Sequence, residues 1–173
     1  MLGVVVTADG SAGAAILGAA AARLRLAGVP VAGALQRDGA AADGGRTEMD
    51  LHLLDGTAVV RISQRLGPRS RGCRLDPDGL ERAVGLVAAA IARKPALLVV
   101  NKFGRQEAEG RGFRPLIGET VAAGLPVLTA VHPRMLDAFD AFAGELGVRL
   151  PEDADAVVSW ALARAGNAVG RTR

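Results

Sequence analysis

Hydrophobic residues fall along this chain in short unbroken runs separated by longer segments of mixed pattern. Residues 2–6 (LGVVV), 29–36 (VPVAGALQ), 96–100 (ALLVV) and 125–131 (LPVLTAV) show little polar alternation, which is the signature of strands buried on both faces, as in a parallel sheet. Between the first two runs, residues 12–27 carry an alanine-leucine helical pattern that stops at Gly28 and Pro30. Strand, turn, helix and strand therefore follow in the order of a βαβ unit, whose crossover is expected to be right-handed. The pattern predicts further helices over 77–94, near 113–123, from His132-Pro133 to about Gly147, and over 153–165, with Asp76 as N-cap and Pro77 at the first helical position of the first of these. Two strand-like runs in TEMDLHLLDGTAVVRIS flank Asp55-Gly56, a dipeptide suited to a tight hairpin turn. The Gly/Ala/Asp stretch 38–46 and the Gly/Pro/Arg stretch 66–77 read as loops, and GNAVGRTR as a disordered tail.

The alternation of strands and helices predicts a doubly wound α/β domain over residues 1–166, mainly parallel, with an antiparallel hairpin addition and a flexible tail at 167–173. In such sheets ligands sit at the carboxyl ends of the strands. The segments that matter are then 7–13, 36–46, 101–112 and 131–134, joined by 65–76 if that loop folds over them.

Composition narrows the function. Half of the 173 residues are apolar, enough for one substantial core. The single cysteine, Cys73, excludes an internal disulfide and a multi-cysteine zinc site, and a reducing cytoplasm is the simplest expectation. Asp9 interrupts the N-terminal apolar run, and Arg23 and Arg25 end the apolar stretch 12–22, so neither a signal peptide nor a membrane span is expected. The net charge of +3 is uneven, with Arg61, Arg65, Arg69, Arg71 and Arg74 close together. The cluster suits a local anionic partner or is simply solvated charge; an aromatic content of 3% leaves few stacking platforms, and no helix-turn-helix or finger spacing is visible, so nucleic acid is not expected.

Two segments carry candidate chemistry. The turn TADGSAGA lies where a phosphate-binding loop would lie, and Asp9, Gly10, Ser11 and Gly13 could bring backbone N–H groups to an anion at a helix N-terminus. A working loop needs GxxxxGK[ST], and no lysine follows here; the alternative is a tight turn capped by Ser11. The second segment, NKFGRQEAEGRGFR, follows the strand at 96–100. Phosphoryl transfer needs carboxylates there to organise magnesium, and Asn101 and Lys102 supply none. Lys102, Arg105, Arg111 and Arg114, with Gly104 between them and Arg71 and Arg74 from the other basic loop, suit an oxyanion instead. Glu107 is the candidate for acid/base work, or else forms an ion pair with Arg111. Cys73 between arginines is a reactive thiol or a buried packing residue, and His132 stands at a strand's carboxyl end. No metal-ligand set is assigned; magnesium enters only with a bound nucleotide.

The segment GCRLDPDGLERAVGLVAAAIARKPALLVVNKFGRQEAEGRGFR, continued through PVLTAV and the next helix, resembles a bacterial family of unknown function related to the THEP-type nucleoside-triphosphatases. Members of that family are often labelled nucleotide-binding or molybdenum-transporter ATP-binding proteins. In the triphosphatases the strand ends in an acidic pair followed by an isoleucine-glycine-lysine-methionine-glutamate run. Gly104 and Glu107 match that run, while Asn101 and Lys102 replace the acids, and TADGSAGA stands where those enzymes carry a complete P-loop. The resemblance implies a P-loop NTPase scaffold with a degenerate site.

The expectation is therefore binding of a nucleotide, or of an oxyanion such as phosphate or molybdate, without conventional magnesium-dependent hydrolysis. Lys102, Arg105, Arg111 and Arg74 would clamp the anion above the TADGSAG turn, with Asn101 donating an amide hydrogen bond. Two other readings stay open: nucleoside-triphosphate hydrolysis with Glu107 activating water, and a non-catalytic partner protein in transport or metal-cofactor metabolism.

Overall fold

A computed structural model of the protein describes residues 1–39, 48–64 and 74–169. Seven strands form one sheet in the order β4-β3-β2-β5-β6-β1-β7. They are β1 (Leu2–Val6), β2 (Val31–Gly39), β3 (Glu48–Leu53), β4 (Val59–Arg61), β5 (Leu97–Phe103), β6 (Val127–Val131) and β7 (Gly147–Leu150). The helices are α1 (Gly10–Leu26), α2 (Pro77–Ile91), α3 (Arg105–Ala108), α4 (Arg114–Ala122), α5 (Leu136–Ala143) and α6 (Ala154–Val169). Strands β2, β5, β6, β1 and β7 run parallel, while β3 pairs antiparallel with β2 and β4 antiparallel with β3.

The four apolar runs form β1, β2, β5 and β6, and they fill the middle of the sheet because an all-apolar strand needs cover on both faces. One face packs Leu51, Leu53, Leu98, Val100 and Phe103 against Leu80, Ala83 and Val87 of α2 and Ile117 of α4. The other packs Val5, Leu35, Leu97 and Val99 against Leu17, Ala20 and Leu24 of α1 and Val157, Trp160 and Ala161 of α6. The expected N-cap holds: the Asp76 carboxylate accepts from the Asp78 N–H, with Pro77 opening α2.

Several boundaries differ from the pattern-based expectation. The helix after His132-Pro133 ends at Ala143, and residues 147–150 form β7, an edge strand parallel to β1. Four residues with an arginine among them give too weak an apolar run to be seen. The expected disordered tail begins in helix, since α6 continues to Val169; residues 170–173 lie outside the described residues. The expected loop from 38 starts later, because β2 runs to Gly39 in register with β3. Strand β5 does not stop at Val100 but continues through Asn101 and Lys102 to Phe103, and the basic loop after it contains α3.

Gly33 fixes how closely β2 approaches β5. It has φ +136°, and a β-carbon there would stand 1.8 Å from the Val99 carbonyl oxygen. Any side chain must force the two central strands apart or reverse the local backbone. Gly33→Ala is expected to destabilise the protein by more than about 2 kcal/mol, lowering the melting temperature by roughly 4–8 °C for a chain of this size. An unchanged thermal melt would contradict this account of the β2–β5 contact.

Candidate functional site

The site begins with a break in regularity. Strand β5 pairs with β6 in uniform parallel register up to Val100↔Thr129, and the next pair is Phe103↔Val131. Three steps on β5 therefore match two on β6, a β-bulge at Asn101 and Lys102. Bulges re-aim side chains that strict alternation would send to opposite faces. Phe103 turns into the core, edge-on to Phe139 with centroids 5.4 Å apart and stacked on Phe142. Lys102 is thrown into solvent, while Asn101 stays 9% exposed.

Asn101 also ties the next strand. The β2–β5 ladder ends at Ala34↔Val100; just beyond it, two residues on along β2 and one along β5, the Gln36 backbone N–H donates to Asn101 Oδ1 at 2.9 Å. A side chain thus replaces a ladder bond, and beyond it the strands part. Into that gap opens a cleft of about 590 Å³ between the carboxyl ends of β2 and β5 and the flank of α1. Gly10, Ser11, Ala14, Ala15 and Gly18 of α1 form one wall, Leu35, Gln36 and Arg37 of β2 the other, with Asn101 and Lys102 at the mouth and Arg25 further along the helix. Arg25, Arg37 and Lys102 are exposed, and no carboxylate lines the cleft among the described residues. A second, smaller cleft of about 320 Å³ lies at the amino ends of β2 and β5, rimmed by the Asp55–Arg93 ion pair; the larger one has the location that open α/β sheets use for ligands.

The turn after β1 is closed on itself. Asp9, not Ser11, is the N-cap of α1: its Oδ1 accepts from the Ser11 N–H at 2.8 Å, the Ala12 N–H at 3.3 Å and the Ser11 hydroxyl at 2.6 Å. Those bonds hold the Asp9 carboxyl below its ordinary range, Ser11 being the principal cause. The Asp9 N–H donates to Thr7 Oγ1 at 3.2 Å, and the Gly13 N–H to the Asp9 carbonyl at 3.2 Å. Gly13 packs inward, where a β-carbon would meet Ala130 and Thr7 at 3.0 Å each.

The remaining cations are engaged away from the cleft walls. Glu109 pairs with Arg105 at 2.7 Å and also holds Arg111. Arg114 lies 4.5 Å over the Phe142 ring and donates to the Glu107 carbonyl oxygen at 3.3 Å. Arg74 is half-buried with its carbonyl accepting from the Gln64 N–H at 2.7 Å, and Arg71 and Cys73 lie outside the described residues. Of the residues proposed from sequence, the cleft lining brings together Gly10, Ser11, Asn101 and Lys102, and it adds Arg37 and Gln36, which had not been singled out. Their signal was weak: Arg37 sat at the edge of an expected loop, and its partner in the register, Asp50, becomes visible when β3 is laid beside β2.

Glu107 is not paired with Arg111. It is 4% exposed, and its two oxygens accept from the Gly104 N–H at 2.9 Å and the Phe113 N–H at 3.1 Å, stapling both ends of the 104–113 segment. Gly112, at φ +59°, makes room for it, since a β-carbon there would stand 2.5 Å from Glu107 Oε1. His132 Nδ1 accepts from the Arg134 N–H at 3.1 Å and so caps the short 3₁₀ turn that follows β6. Among the described residues no group of three or more His, Cys, Asp or Glu is placed to hold a metal ion, and no helix is long and apolar enough to cross a membrane.

The parallel core, the helices on both faces and the cleft at the strand ends define a P-loop-like doubly wound α/β protein, with an antiparallel addition at one edge. The chain belongs to the family described as protein of unknown function (DUF2478), whose model matches residues 2–160. This agrees with the resemblance drawn from residues 72–114. The chain is also similar to the molybdenum import ATP-binding protein ModC 2 of Bradyrhizobium diazoefficiens, with 39% identity over 137 residues, or 78% of this chain and 15% of that protein. The chain thus corresponds to a minor part of that relative's length. No solved structure matches.

Burial is the largest influence on Glu107 and raises its pKa above the usual carboxylate value of 4.5, against the opposing pull of the Gly104 and Phe113 N–H groups and of Lys102. A raised folded-state pKa adds stability that is full below 4.5 and is lost as pH rises through the folded value. In paired urea titrations, the advantage of wild type over Glu107→Gln should therefore be greatest in acid and shrink toward neutrality. Glu107→Ala, which leaves two backbone donors without their acceptor, should cost about 2–3 kcal/mol. A wild-type advantage that grows with pH would reverse the assignment.

Proposed function

We propose that the protein binds a small anionic ligand, foremost a nucleotide, in the cleft between α1 and the carboxyl ends of β2 and β5, and does so without conventional magnesium-dependent hydrolysis. The observation that carries this reading is the bulge at Asn101 and Lys102, which turns a cation and a buried amide toward one cavity that also receives Arg37. Charge-assisted hydrogen bonds from Lys102 and Arg37 suit phosphate or another oxyanion. With its Oδ1 accepting from Gln36, Asn101 keeps its Nδ2 donors for a ligand. The small residues of α1 offer a flat apolar surface for the uncharged part.

The choice of a nucleotide draws on the ATP-binding name of the similar protein, which covers 78% of this chain. The lining residues, Ser11 and Asn101 among them, do not fit a resident magnesium ion, which takes carboxylates and water. Glu107, the candidate for activating water, spends both oxygens on backbone donors.

A ligand that binds the folded state raises its melting temperature. Thermal shifts with ATP, GTP, ADP, phosphate and molybdate, each with and without magnesium, should show stabilisation by a nucleotide that does not need the metal. Lys102→Glu and Arg37→Glu should each weaken that binding by about tenfold or more, as loss of a charged partner does, while leaving the unliganded melt in place. Affinity untouched by either substitution would remove the cleft as the site. Stabilisation by the bare oxyanions alone would move the ligand from nucleotide to oxyanion, and phosphate release that requires magnesium and Glu107 would favour hydrolysis.

A further inference from the structure

The two ends of the cleft mouth are unlike in charge. At the β5–β2 end stand Lys102 and Arg37, with the Asn101 amide between their strands. At the α1 end stand Gly10 and Ser11, immediately beside Asp9. The first N–H groups of a helix ordinarily attract phosphate. Here the Asp9 carboxylate already accepts from Ser11 and Ala12, and the same bonds favour its ionised form. The β1–α1 turn is also short: β1 ends at Val6 and α1 begins at Gly10. Its Asp9 and Gly13 N–H groups are committed within the turn, and the Thr7 N–H donates to the Val131 carbonyl at 3.0 Å. A phosphate chain laid from Lys102 toward α1 would thus meet a like charge and, at Asp9, Ser11, Ala12 and Gly13, N–H groups already engaged.

We propose that Asp9 is the specificity-determining residue of this cleft: it bars polyphosphate from the start of α1 and leaves Lys102 and Arg37 to hold one terminal anion. The ligand class is then a nucleoside monophosphate or another singly phosphorylated small molecule, with an uncharged hydrogen-bond donor such as a sugar hydroxyl or an amine facing Asp9 and Ser11. This deepens the reading of the cleft as an anion site and rests on it. The charge count agrees: a terminal phosphate carries nearly two negative charges near neutral pH, matched by the two cations at that end. Each further phosphate laid toward the start of α1 adds charge beside Asp9.

The test is calorimetric titration of AMP, ADP and ATP, in EDTA and in magnesium, against the full chain and its Asp9→Asn and Lys102→Glu variants. Asparagine keeps an oxygen for the Ser11 and Ala12 N–H groups, so the cap survives while its charge is removed. Wild type should bind ATP no more tightly than AMP, and the ATP-to-AMP affinity ratio should rise about tenfold or more in Asp9→Asn, as relief of a like-charge contact allows. A wild type that prefers ATP, with a ratio unmoved by Asp9→Asn, would overturn the inference and leave the cleft intact. ATP binding that needs magnesium and weakens in Asp9→Asn would overturn it too, since the carboxylate would then be a metal ligand. AMP binding indifferent to Lys102→Glu, or no binding of any nucleotide, would bring down the cleft reading itself and this inference with it.

Discussion

One hydrogen bond, from the Gln36 N–H to the Asn101 side chain, marks where β2 and β5 part and the cleft begins. Below it β2 and β5 are held by an ordinary parallel ladder and by the glycine contact at Gly33 and Val99. At it, the backbone of β5 bulges on its β6 side, and the lost regularity on its β2 side is replaced by an amide. A plain ladder continued by one more residue would have closed the gap into which the cleft opens. An acid at position 101 could still accept from Gln36, but it would supply no donor and would place a charge beside Lys102. An amide serves both sides, which is a physical reason for asparagine at a strand end where magnesium chemistry uses carboxylates.

This strand end is anchored by an aromatic group and by a buried carboxylate. Phe103 goes into the aromatic group with Phe139 and Phe142, and Arg114 covers that group from outside. The segment that follows is then closed by Glu107, a buried carboxylate between two backbone donors. Of the conspicuous charges of NKFGRQEAEGRGFR, Glu107 is built into the fold, while Glu109 pairs with Arg105 and Arg111 at the surface. Exposed pairs of this kind contribute little to stability.

The central strands and the long helices were legible in the sequence because each is a local pattern: apolar runs for strands covered on both faces, a 3.6-residue repeat for α1 and α2, Asp76-Pro77 for a helix start. Strand β7 was not, because a four-residue edge strand owes its existence to β1 and carries little pattern of its own. Asn101 and Lys102 were legible as oddities, though as residues after a strand rather than within one; polar residues end an apolar run on paper, whereas a bulge lets the strand pass through them. Asp9 was assigned to the ligand and Ser11 to the cap, and the structure gives the cap to Asp9. Arg37 went unnoticed because its place depends on a partner strand, which no local window contains.

The wall that α1 turns to the cleft is made of Ala14, Ala15, Gly18 and Ala19, side chains with no rotamers to freeze. A molecule settling there orders nothing on that side, and the entropic penalty of capture falls on Gln36, Arg37 and Lys102 at the opposite wall and mouth. Such a surface is ready before any encounter, yet it has few protrusions with which to recognise shape. Discrimination among ligands would then fall to the few polar groups around its edge, Ser11, Gln36, Arg37, Asn101 and Lys102.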